Sequence, residues 1–263
     1  METLQINKDA WNSSTFQAWI NRFGTPEAAA HKLKSDPVKG VGRLYQHIGA
    51  SDDKQAIINL LGSNGMKAVA LAILGHQVTV VDFSIENQAY ATELAREAGV
   101  EIKYLLSDVL QMPQEELRSS YDTVLMENGI LHYFQNMEPL FAVVSKLLSV
   151  GGRLILQDFH PVSTKLISSK GTTANIRKHK VTGDYFDTAL VEKEVAYSKY
   201  LQANSSNEES SKVLLRQWTL GEIVTAIASQ GLCIKVLDEQ PNLSSDVFDK
   251  GIPKTFTIIA EKI

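Results

Sequence analysis

The chain has 263 residues, 44% of them hydrophobic, and its 30 acidic residues slightly outnumber its 26 lysines and arginines. This length suits one large α/β domain with additional segments, and the spread of basic residues along the chain disfavours a nucleic-acid partner. The single cysteine, Cys233, excludes an internal disulfide and any cysteine-rich metal site, and it favours a reducing, cytoplasmic location.

Targeting and membrane signals are not evident in the sequence. The N-terminus lacks a basic segment with an apolar core, and nowhere are there about 18 consecutive apolar residues. The sequence therefore predicts a soluble, unprocessed protein with no membrane partner.

The first 50 residues predict a cap of short helices. Thr25 is a good N-cap before Pro26, and Pro37 breaks the chain again. The segment is rich in aromatic residues, which either wall a binding site or only pack the cap onto the core. These residues are Trp11, Phe16, Trp19, Phe23 and Tyr45.

Residues 57–84 predict a strand, a small-residue turn at Gly62–Gly65, a helix and a second strand that stops at Asp82. Backbone N–H groups of such a turn can meet a polar ligand, and an acid at the end of the next strand can accept hydrogen bonds from ribose hydroxyls. This predicts a nucleoside-binding half-site. The alternative is an ordinary crossover in which Asp82 only caps the next helix, or in which Ser84 starts it.

The alternation of strands and helices continues to residue 158. It consists of a strand at 100–106 that leads to Asp108, a short helix at 114–118, a strand at 121–126, a helix at 138–148 stopped by Gly151 and Gly152, and a strand at 153–158. Five strands separated by helices predict a doubly wound parallel sheet.

Residues 161–213 interrupt this alternation and predict an insertion with an antiparallel hairpin, including the alternating stretch 191–201 and a low-complexity loop. A helix from Thr219 to Ser229 follows. Strands at 233–238 and 256–261 are joined by a loop alone, which predicts an antiparallel hairpin at the sheet edge.

This order of elements resembles the class I S-adenosylmethionine-dependent methyltransferases over roughly residues 55–263. Their first strand and turn usually read V-L-D-L-G-C-G-x-G, whereas residues 57–65 read I-I-N-L-L-G-S-N-G. Residues 121–161 resemble the family's fourth strand, the loop and helix after it, the G-G turn and the fifth strand.

The resemblance implies a Rossmann-like, doubly wound sheet of seven mostly parallel strands with the last one antiparallel. It implies a helical cap at 1–50, a cofactor domain at 51–160 and 214–263, and an inserted lid at 161–213. It also implies S-adenosylmethionine as the cofactor, S-adenosylhomocysteine as its product, and no metal.

The resemblance implies that Gly62 and the nearby backbone face the methionine part of the cofactor. It also implies that Asp82 faces the ribose hydroxyls and that Asp108 faces the adenine amino group. The implied cofactor-binding residues are Asn59, Leu61, Gly62, Ser63, Asn64, Gly65, Asp82, Phe83, Ser84, Asp108, Val109, Glu127 and Asn128.

Methyl transfer from a sulfonium is an in-line displacement, so the protein mainly aligns the reactants and excludes water, and a base is needed only if the acceptor is protonated. His132 and His160 follow strand ends and are the candidate bases. A structural, hydrogen-bonded histidine is the alternative for each. Asp158 could orient an imidazole, bind a substrate amine or only cap its strand.

The acceptor is predicted to be a small molecule in a site walled by the cap and the insertion, in a monomer or homodimer. No DPPY-like or NPPY-like signature follows the fourth strand, which disfavours amino methylation of nucleobases or glutamine. The basic run at 177–180 indicates either an anionic acceptor or a solvated surface. The predicted substrate residues are Trp11, Phe16, Trp19, Tyr45, Arg177, His179, Tyr185, Tyr197 and Arg216.

Two other functions are compatible with the sequence. A cofactor-binding protein without turnover would explain the departures from the family turn at Asn59, Leu61 and Ser63. A nicotinamide-dependent oxidoreductase would explain the βαβ pattern and Asp82, but it would need a third glycine and a Tyr-x-x-x-Lys pair that the sequence does not supply.

Overall fold

A computed structural model describes residues 2–48, 54–169, 179–201, 211–241 and 251–263. The N-terminal region forms short helices, as predicted. Thr25 accepts a hydrogen bond from the Ala28 amide at the start of α3, with Pro26 in the first turn. The helices are α1 (Glu2–Ala10), α2 (Thr15–Phe23), α3 (Pro26–Ser35), α4 (Pro37–Val41) and α5 (Tyr45–Ile48).

The central part alternates strands with helices. Its elements are β1 (Ala56–Leu60), α6 (Met66–Ile73), β2 (Gln77–Asp82), α7 (Ile85–Ala98), β3 (Lys103–Leu106), β4 (Tyr121–Glu127), α8 (Glu138–Leu147) and β5 (Leu148–Phe159). Residues 114–116 form only a 3-10 turn where a short helix was predicted. The glycines at 151 and 152 lie within β5, because α8 already ends at Leu147.

The C-terminal part completes the sheet. Its elements are β6 (Ile167–Ser169), β7 (His179–Val181), β8 (Leu190–Glu194), β9 (Lys212–Arg216), α9 (Leu220–Ala228), β10 (Leu232–Pro241) and β11 (Pro253–Lys262). Thr219 and Glu222 form a capping box at the start of α9.

Seven strands form one sheet in the order β3-β2-β1-β4-β5-β11-β10. Strand β11 runs antiparallel to both β5 and β10, and the pairs among β1 to β5 are all parallel. The predicted fold class is therefore confirmed, including the antiparallel last strand. The closing hairpin places β10, rather than β11, at the edge.

Each face of the sheet is covered by helices, so the central strands are apolar on both faces. Ile58 and Leu60 pack in the core that contains α8 and α9 residues. Ile57, which points the other way, packs with the N-terminal helices, α6 and α7. This two-sided burial explains the near-continuous apolar run of β1 and leaves the strand ends as the place for polar groups.

The region predicted as an insertion contains two antiparallel pairs, β6 with β7 and β8 with β9. Strand β8 covers only the first part of the alternating stretch, and residues 198–200 form a 3-10 turn. Strand β9 crosses the predicted boundary at residue 213. Arg177 and the low-complexity residues 203–210 lie outside the described residues, and the division into cap, core and lid stays a prediction.

Within the described ranges, no helix is long and apolar enough to span a membrane.

Candidate active site

The turn after β1 adopts a left-handed backbone at three positions. The φ angles are 51° at Leu61, 51° at Ser63 and 72° at Gly65. In L-residues this conformation brings Cβ close to the following carbonyl and costs about 1–2 kcal/mol per residue, so glycine normally occupies it. Leu61 and Ser63 thus hold, with side chains present, the conformation for which related turns use glycine.

Asp82 ends β2 beside this turn. Its carboxylate accepts hydrogen bonds from the amides of Ser63 (3.0 Å) and Ser84 (2.9 Å) and from Nδ2 of Asn87 (3.2 Å). Ser84, whose Oγ accepts from the Asn87 amide, caps α7. Asp82 therefore joins the turn to the start of α7, while Ser84 is the helix cap.

Burial raises the pKa of Asp82, and the donated hydrogen bonds oppose that rise only in part. Two tyrosines lie near this carboxylate. Tyr104 donates its hydroxyl proton to the Ser63 carbonyl at 2.9 Å. Burial, together with the Asp82 charge, raises the pKa of Tyr133 to about 12, so both the phenol and the carboxylate stand in a water-poor environment.

The next strand end carries Asp108, as predicted. Its carboxylate accepts a hydrogen bond from the Leu110 amide at 2.9 Å and caps a 3-10 turn at Val109–Gln111. The Ser107 amide donates to the carbonyl of Asp82 at 3.0 Å. The two acidic strand ends therefore lie side by side.

On the other side of the turn, Lys67 in the first turn of α6 forms an ion pair with Glu127 at the end of β4. The Nζ to Oε2 distance is 3.0 Å, and the side chains are 23% and 16% exposed. Lys67 also donates to the Val41 carbonyl at 2.6 Å. Burial raises the pKa of Glu127 and the Lys67 ammonium opposes this rise.

Asp158, at the end of β5, is 1% exposed and organises the loop after β4. Its carboxylate accepts hydrogen bonds from the amides of Gly129 (2.5 Å), Leu131 (3.2 Å) and Phe159 (2.6 Å). Asn128 and Gly129 turn the chain with φ angles of 62° and 84°. Burial raises the pKa of Asp158, and the hydrogen bonds from the Phe159, Leu131 and Gly129 amides oppose that rise.

His132 follows directly in this loop. Its Nδ1 lies 2.9 Å from the Arg216 carbonyl. Because a carbonyl can only accept, Nδ1 carries the proton and Nε2 holds the lone pair of the neutral ring. Within the described part of the chain, Nε2 makes no hydrogen bond. The ring is therefore oriented with its basic nitrogen available.

His160 is 2% exposed and uses both ring nitrogens inside the protein. Nδ1 accepts from the Val162 amide at 3.1 Å, which leaves the proton on Nε2, and Nε2 donates to Oε1 of Glu239 at 2.6 Å. This arrangement joins the end of β5 to β10 and leaves no free lone pair for an acceptor.

Aromatic side chains from three segments pack together at this edge of the sheet. Trp11 lies 6.4 Å from Trp19, 6.3 Å from Tyr133 and 5.5 Å from Tyr197 between ring centroids. Trp11 Nε1 donates to the Tyr133 hydroxyl at 3.0 Å, and the Tyr197 hydroxyl donates to backbone carbonyls of Ala10 and Ser13. The cap thus contacts both the loop after β4 and the segment after β8.

The cap is also joined to the start of α7. Ser84 Oγ donates to the Trp11 carbonyl at 2.7 Å, and Trp19 Nε1 donates to Oδ1 of Asn87 at 2.7 Å. The carboxylate of Glu86 accepts from the Ser14 and Phe16 amides at 3.2 and 2.7 Å. Since Asn87 also binds Asp82, the cap is linked to the predicted ribose site.

The other predicted substrate residues are more dispersed. Phe16 packs on Tyr90 of α7, with ring centroids 5.7 Å apart, and Tyr45 packs against the core under the N-terminal helices. The Tyr185 hydroxyl accepts from the Leu220 amide at 3.0 Å. His179 lies in β7, with its side chain not described, and Arg177 lies outside the described residues.

Arg216 is fixed by its neighbours. Its guanidinium binds Glu222 at 2.8 Å and lies 3.5 Å above the Trp218 ring. The backbone carbonyl of Arg216, rather than its guanidinium, contacts His132.

The remaining predicted cofactor residues hold the turn and its flanks. Asn59 donates to the Leu125 carbonyl at 3.2 Å, and Oδ1 of Asn64 accepts from the Met66 amide at 3.2 Å. Val109 packs in the core, and the half-buried Phe83 follows Asp82. At Gly62 a Cβ would lie 2.7 Å from Asn59 Oδ1 and 2.8 Å from Val80, so this position requires glycine.

Among the described residues, no group of three or more histidine, cysteine, aspartate or glutamate side chains is arranged to hold a metal ion.

Residues 61–156 match the sequence model of a family described as a methyltransferase domain. These residues run from the turn after β1 into β5 and include Asp82, Asp108 and Glu127. No curated protein matches the chain in sequence.

Solved structures share the fold of this chain at low sequence identity. An S-adenosylmethionine-dependent methyltransferase from Mesorhizobium loti has a TM-score of 0.61 and 18% identity, over 82% of this chain and 94% of that one. Magnesium protoporphyrin IX methyltransferase from Synechocystis PCC 6803, with bound S-adenosylhomocysteine, has a TM-score of 0.59 and 15% identity, over 99% of this chain and 100% of that one. Geranyl diphosphate C-methyltransferase from Streptomyces coelicolor A3(2) has a TM-score of 0.56 and 14% identity, over 89% of this chain and 80% of that one.

Sequence reasoning missed three residues of the candidate site: Lys67, Asn87 as a partner of Asp82, and Tyr133. Tyr133 directly follows His132, so its position in the loop could have indicated it. Lys67 lies in the first turn of the helix after the glycine turn, where a lysine beside an acidic strand end is a detectable signal. Nothing in the local sequence pairs Asn87 with Asp82.

We expect Ser63→Gly to stabilise the protein. Ser63 holds a left-handed backbone, and its buried Oγ has no hydrogen-bond partner within the described residues. Removing the backbone strain and the unpartnered hydroxyl should outweigh the conformational entropy that glycine adds to the unfolded chain. We therefore expect the free energy of unfolding, measured by urea denaturation, to rise by about 1 kcal/mol. Ser229→Gly, at φ −63°, is the matched control and should be neutral or destabilising. Equal destabilisation by both variants would contradict the strain at Ser63.

Proposed function

We propose that the protein transfers a methyl group from S-adenosylmethionine to a small-molecule acceptor in a site enclosed by the N-terminal cap and the segment after β5, with His132 as the base. The observation that carries this proposal is the orientation of His132, whose Nδ1 proton is held by the Arg216 carbonyl while Nε2 is free among the described residues. The cytoplasm is the proposed location, on the basis of the single cysteine.

The residues at the strand ends fit the cofactor. Asp82 offers a carboxylate beside a turn, and Ser63 adds a buried hydroxyl without a partner in the described ranges. Such a hydroxyl costs free energy until a ligand or water satisfies it. Asp108 lies next along the same edge, in position for a base amino group. Gly62 and Gly65 lie in the turn itself, and Asn128 follows β4 with a φ of 62°.

When bound, S-adenosylmethionine supplies an electrophilic methyl group on a sulfonium. His132 would accept a proton from the acceptor's nucleophilic atom at Nε2, and the Arg216 carbonyl would keep the ring in the correct tautomer. Asp158 supports this role because it fixes the loop that carries His132 through the Gly129 and Leu131 amides.

The aromatic cluster would exclude water from this reaction. Trp11, Tyr133 and Tyr197 close the edge of the sheet next to His132 and Asp82, and a water-poor site strengthens the interactions of the charged groups. A small-molecule acceptor agrees with this enclosure. The names of two structures with the same fold also describe small-molecule substrates.

A second candidate function is cofactor binding without turnover. The strained left-handed conformations of Leu61 and Ser63 favour it, because they place side chains where related enzymes have glycine. This candidate predicts cofactor affinity without methyl transfer to any acceptor in a panel.

Calorimetric titration with S-adenosylhomocysteine tests the cofactor site. We expect a dissociation constant in the micromolar range or below, weakened about 10- to 100-fold by Asp82→Ala, since two ribose hydroxyls lose a charged acceptor. Asp122→Ala is the matched control, because the Asp122 carboxylate accepts a hydrogen bond from the Ala56 amide at the opposite end of the strands. An absence of binding, or equal affinities of the wild type and Asp82→Ala, would contradict the proposal.

The affinity for the nucleoside part should depend on pH. Burial raises the folded-state pKa of Asp82, and the ribose hydroxyls require the carboxylate form. The affinity for the nucleoside part is therefore present above this pKa and is lost as the pH falls through it. The loss begins at a higher pH than it would with an exposed aspartate. Titration with 5′-methylthioadenosine between about pH 8 and pH 5 measures this loss. A constant affinity across that range would count against Asp82 as the acceptor.

Once an acceptor is found, His132→Gln separates the base from the binding residues. Glutamine can still donate to the Arg216 carbonyl but cannot accept a proton, so we expect kcat to fall about 10²- to 10⁴-fold with unchanged S-adenosylhomocysteine affinity. His160→Gln is the control and should keep kcat within a few-fold in folded protein. Wild-type turnover in His132→Gln would show that transfer needs no base from this residue.

A further inference from the structure

Strand β9 has an outer edge that faces away from its partner β8. In this antiparallel pair Leu214 lies opposite Glu192, and Arg216 lies opposite Leu190. The N–H and C=O groups of one strand residue point to the same side, and residues two apart in the strand share that side. Both backbone groups of Leu214 bind the side chain of Asn7 in α1. Leu214 and Arg216 therefore form the outer edge, which exposes unpaired backbone groups unless another segment covers it.

Asn7 covers this edge at Leu214. The Leu214 amide donates to Oδ1 of Asn7 at 2.9 Å, and Nδ2 of Asn7 donates to the Leu214 carbonyl at 3.1 Å. The side-chain amide thus takes the place of a further strand, with one acceptor and one donor in use. Asn7 is 2% exposed. Without its side chain, both backbone groups of Leu214 would lose their partners, at a cost in free energy.

His132 binds the same edge one step further along. Arg216 follows Leu214 by two residues, about 7 Å in an extended strand, and its carbonyl accepts the Nδ1 proton of His132 at 2.9 Å. The cap and the loop after β4 thus bind neighbouring positions of one strand edge. A shift of β9 relative to the cap would move the Arg216 carbonyl relative to the imidazole ring.

Other contacts hold this part of the chain from the loop side. Trp218 Nε1 donates to the Leu131 carbonyl at 2.9 Å, and the Arg216 guanidinium donates to the Gln135 carbonyl at 2.9 Å. Both join residues 216–218 to the loop after β4. Asn7 instead ties β9 to α1, so it fixes the strand against a second element that the loop contacts do not reach.

From this arrangement we infer that Asn7 is a positioning residue for His132. By fixing β9 to the cap, Asn7 places the Arg216 carbonyl where Nδ1 of His132 donates, and it thereby keeps the lone pair on Nε2. The inference rests on the proposed function, since it takes His132 as the base. The cap that would enclose the acceptor is then also the element that orients the base, so the two requirements of the site are met together.

The tautomer of His132 tests this role without an acceptor. Two-dimensional proton–nitrogen NMR of the histidine rings at about pH 8.5, where an ordinary imidazole is neutral, measures the ratio of the Nδ1–H to the Nε2–H form. His132→Gln identifies the signals of this ring. We expect mainly the Nδ1–H form in the wild type. Asn7→Ala should lower the ratio about fivefold, the change that the loss of one ordinary hydrogen bond produces, whereas His160 should keep its Nε2–H form.

Asn21→Ala is the matched control, because Asn21 is also an asparagine of the cap that donates to a backbone carbonyl, that of Tyr200, at 2.9 Å. It should leave the His132 ratio unchanged. Thermal denaturation checks that each variant folds. If Asn7→Ala does not fold, Asn7→Asp replaces it. The aspartate can still accept from the Leu214 amide but has no donor for the carbonyl, so it should lower the ratio in the same direction.

The outcomes separate this inference from the proposed function. An unchanged ratio in the folded Asn7 variant, an equal fall in Asn21→Ala, or a wild-type His132 in the Nε2–H form would overturn the role of Asn7. These results do not depend on whether the protein binds S-adenosylhomocysteine. If the ratio falls as expected while His132→Gln turns over an acceptor like the wild type, Asn7 still positions the ring, and the assignment of His132 as the base fails.

Discussion

The architecture of the site depends on buried carboxylates at the ends of parallel strands. Asp82 and Asp158 cannot face the apolar core without partners, so backbone amides of the adjoining loops donate to them. Asp82 thereby fixes the turn after β1 to the start of α7, and Asp158 fixes the loop that carries His132. The same hydrogen bonds that satisfy these charges thus set the shape of the loops in which we place the chemistry.

The cap and the segment after β8 extend this arrangement beyond the sheet. Trp11, Trp19 and Tyr197 pack on one another and bind the strand-end loops through Asn87 and Tyr133. Aromatic rings with a polar atom at one end suit such a surface, because they exclude water and still satisfy their N–H and O–H groups. The packing at this edge of the sheet therefore depends on contacts made by residues far apart in the chain.

Much of the fold could be predicted because its signals are local. The apolar strands, the Thr25 and Thr219 caps and the glycine turn each follow from neighbouring residues. The prediction was less accurate at residues 148–152, where the two glycines indicated a stop but β5 continues through them. Leu148 and Arg153 both pair with β4, on the two sides of an irregularity in which Gly151 keeps a positive φ of 78°. The strand partner of β8 was likewise not predictable, since it lies beyond the low-complexity residues.

The sequence by itself determined which acids and histidines follow the strands, and hence which edge of the sheet carries the site, because parallel strands align their carboxyl ends. Only the tertiary structure decided what each residue does there. His132 meets the carbonyl of Arg216 across 84 residues, and His160 meets Glu239 across 79. Among the described residues, the first ring therefore keeps a basic nitrogen without a hydrogen bond and the second does not. Lys67 and Glu127 come together in the same way. These partners depend on helix and strand packing over long separations, which no local pattern of residues encodes.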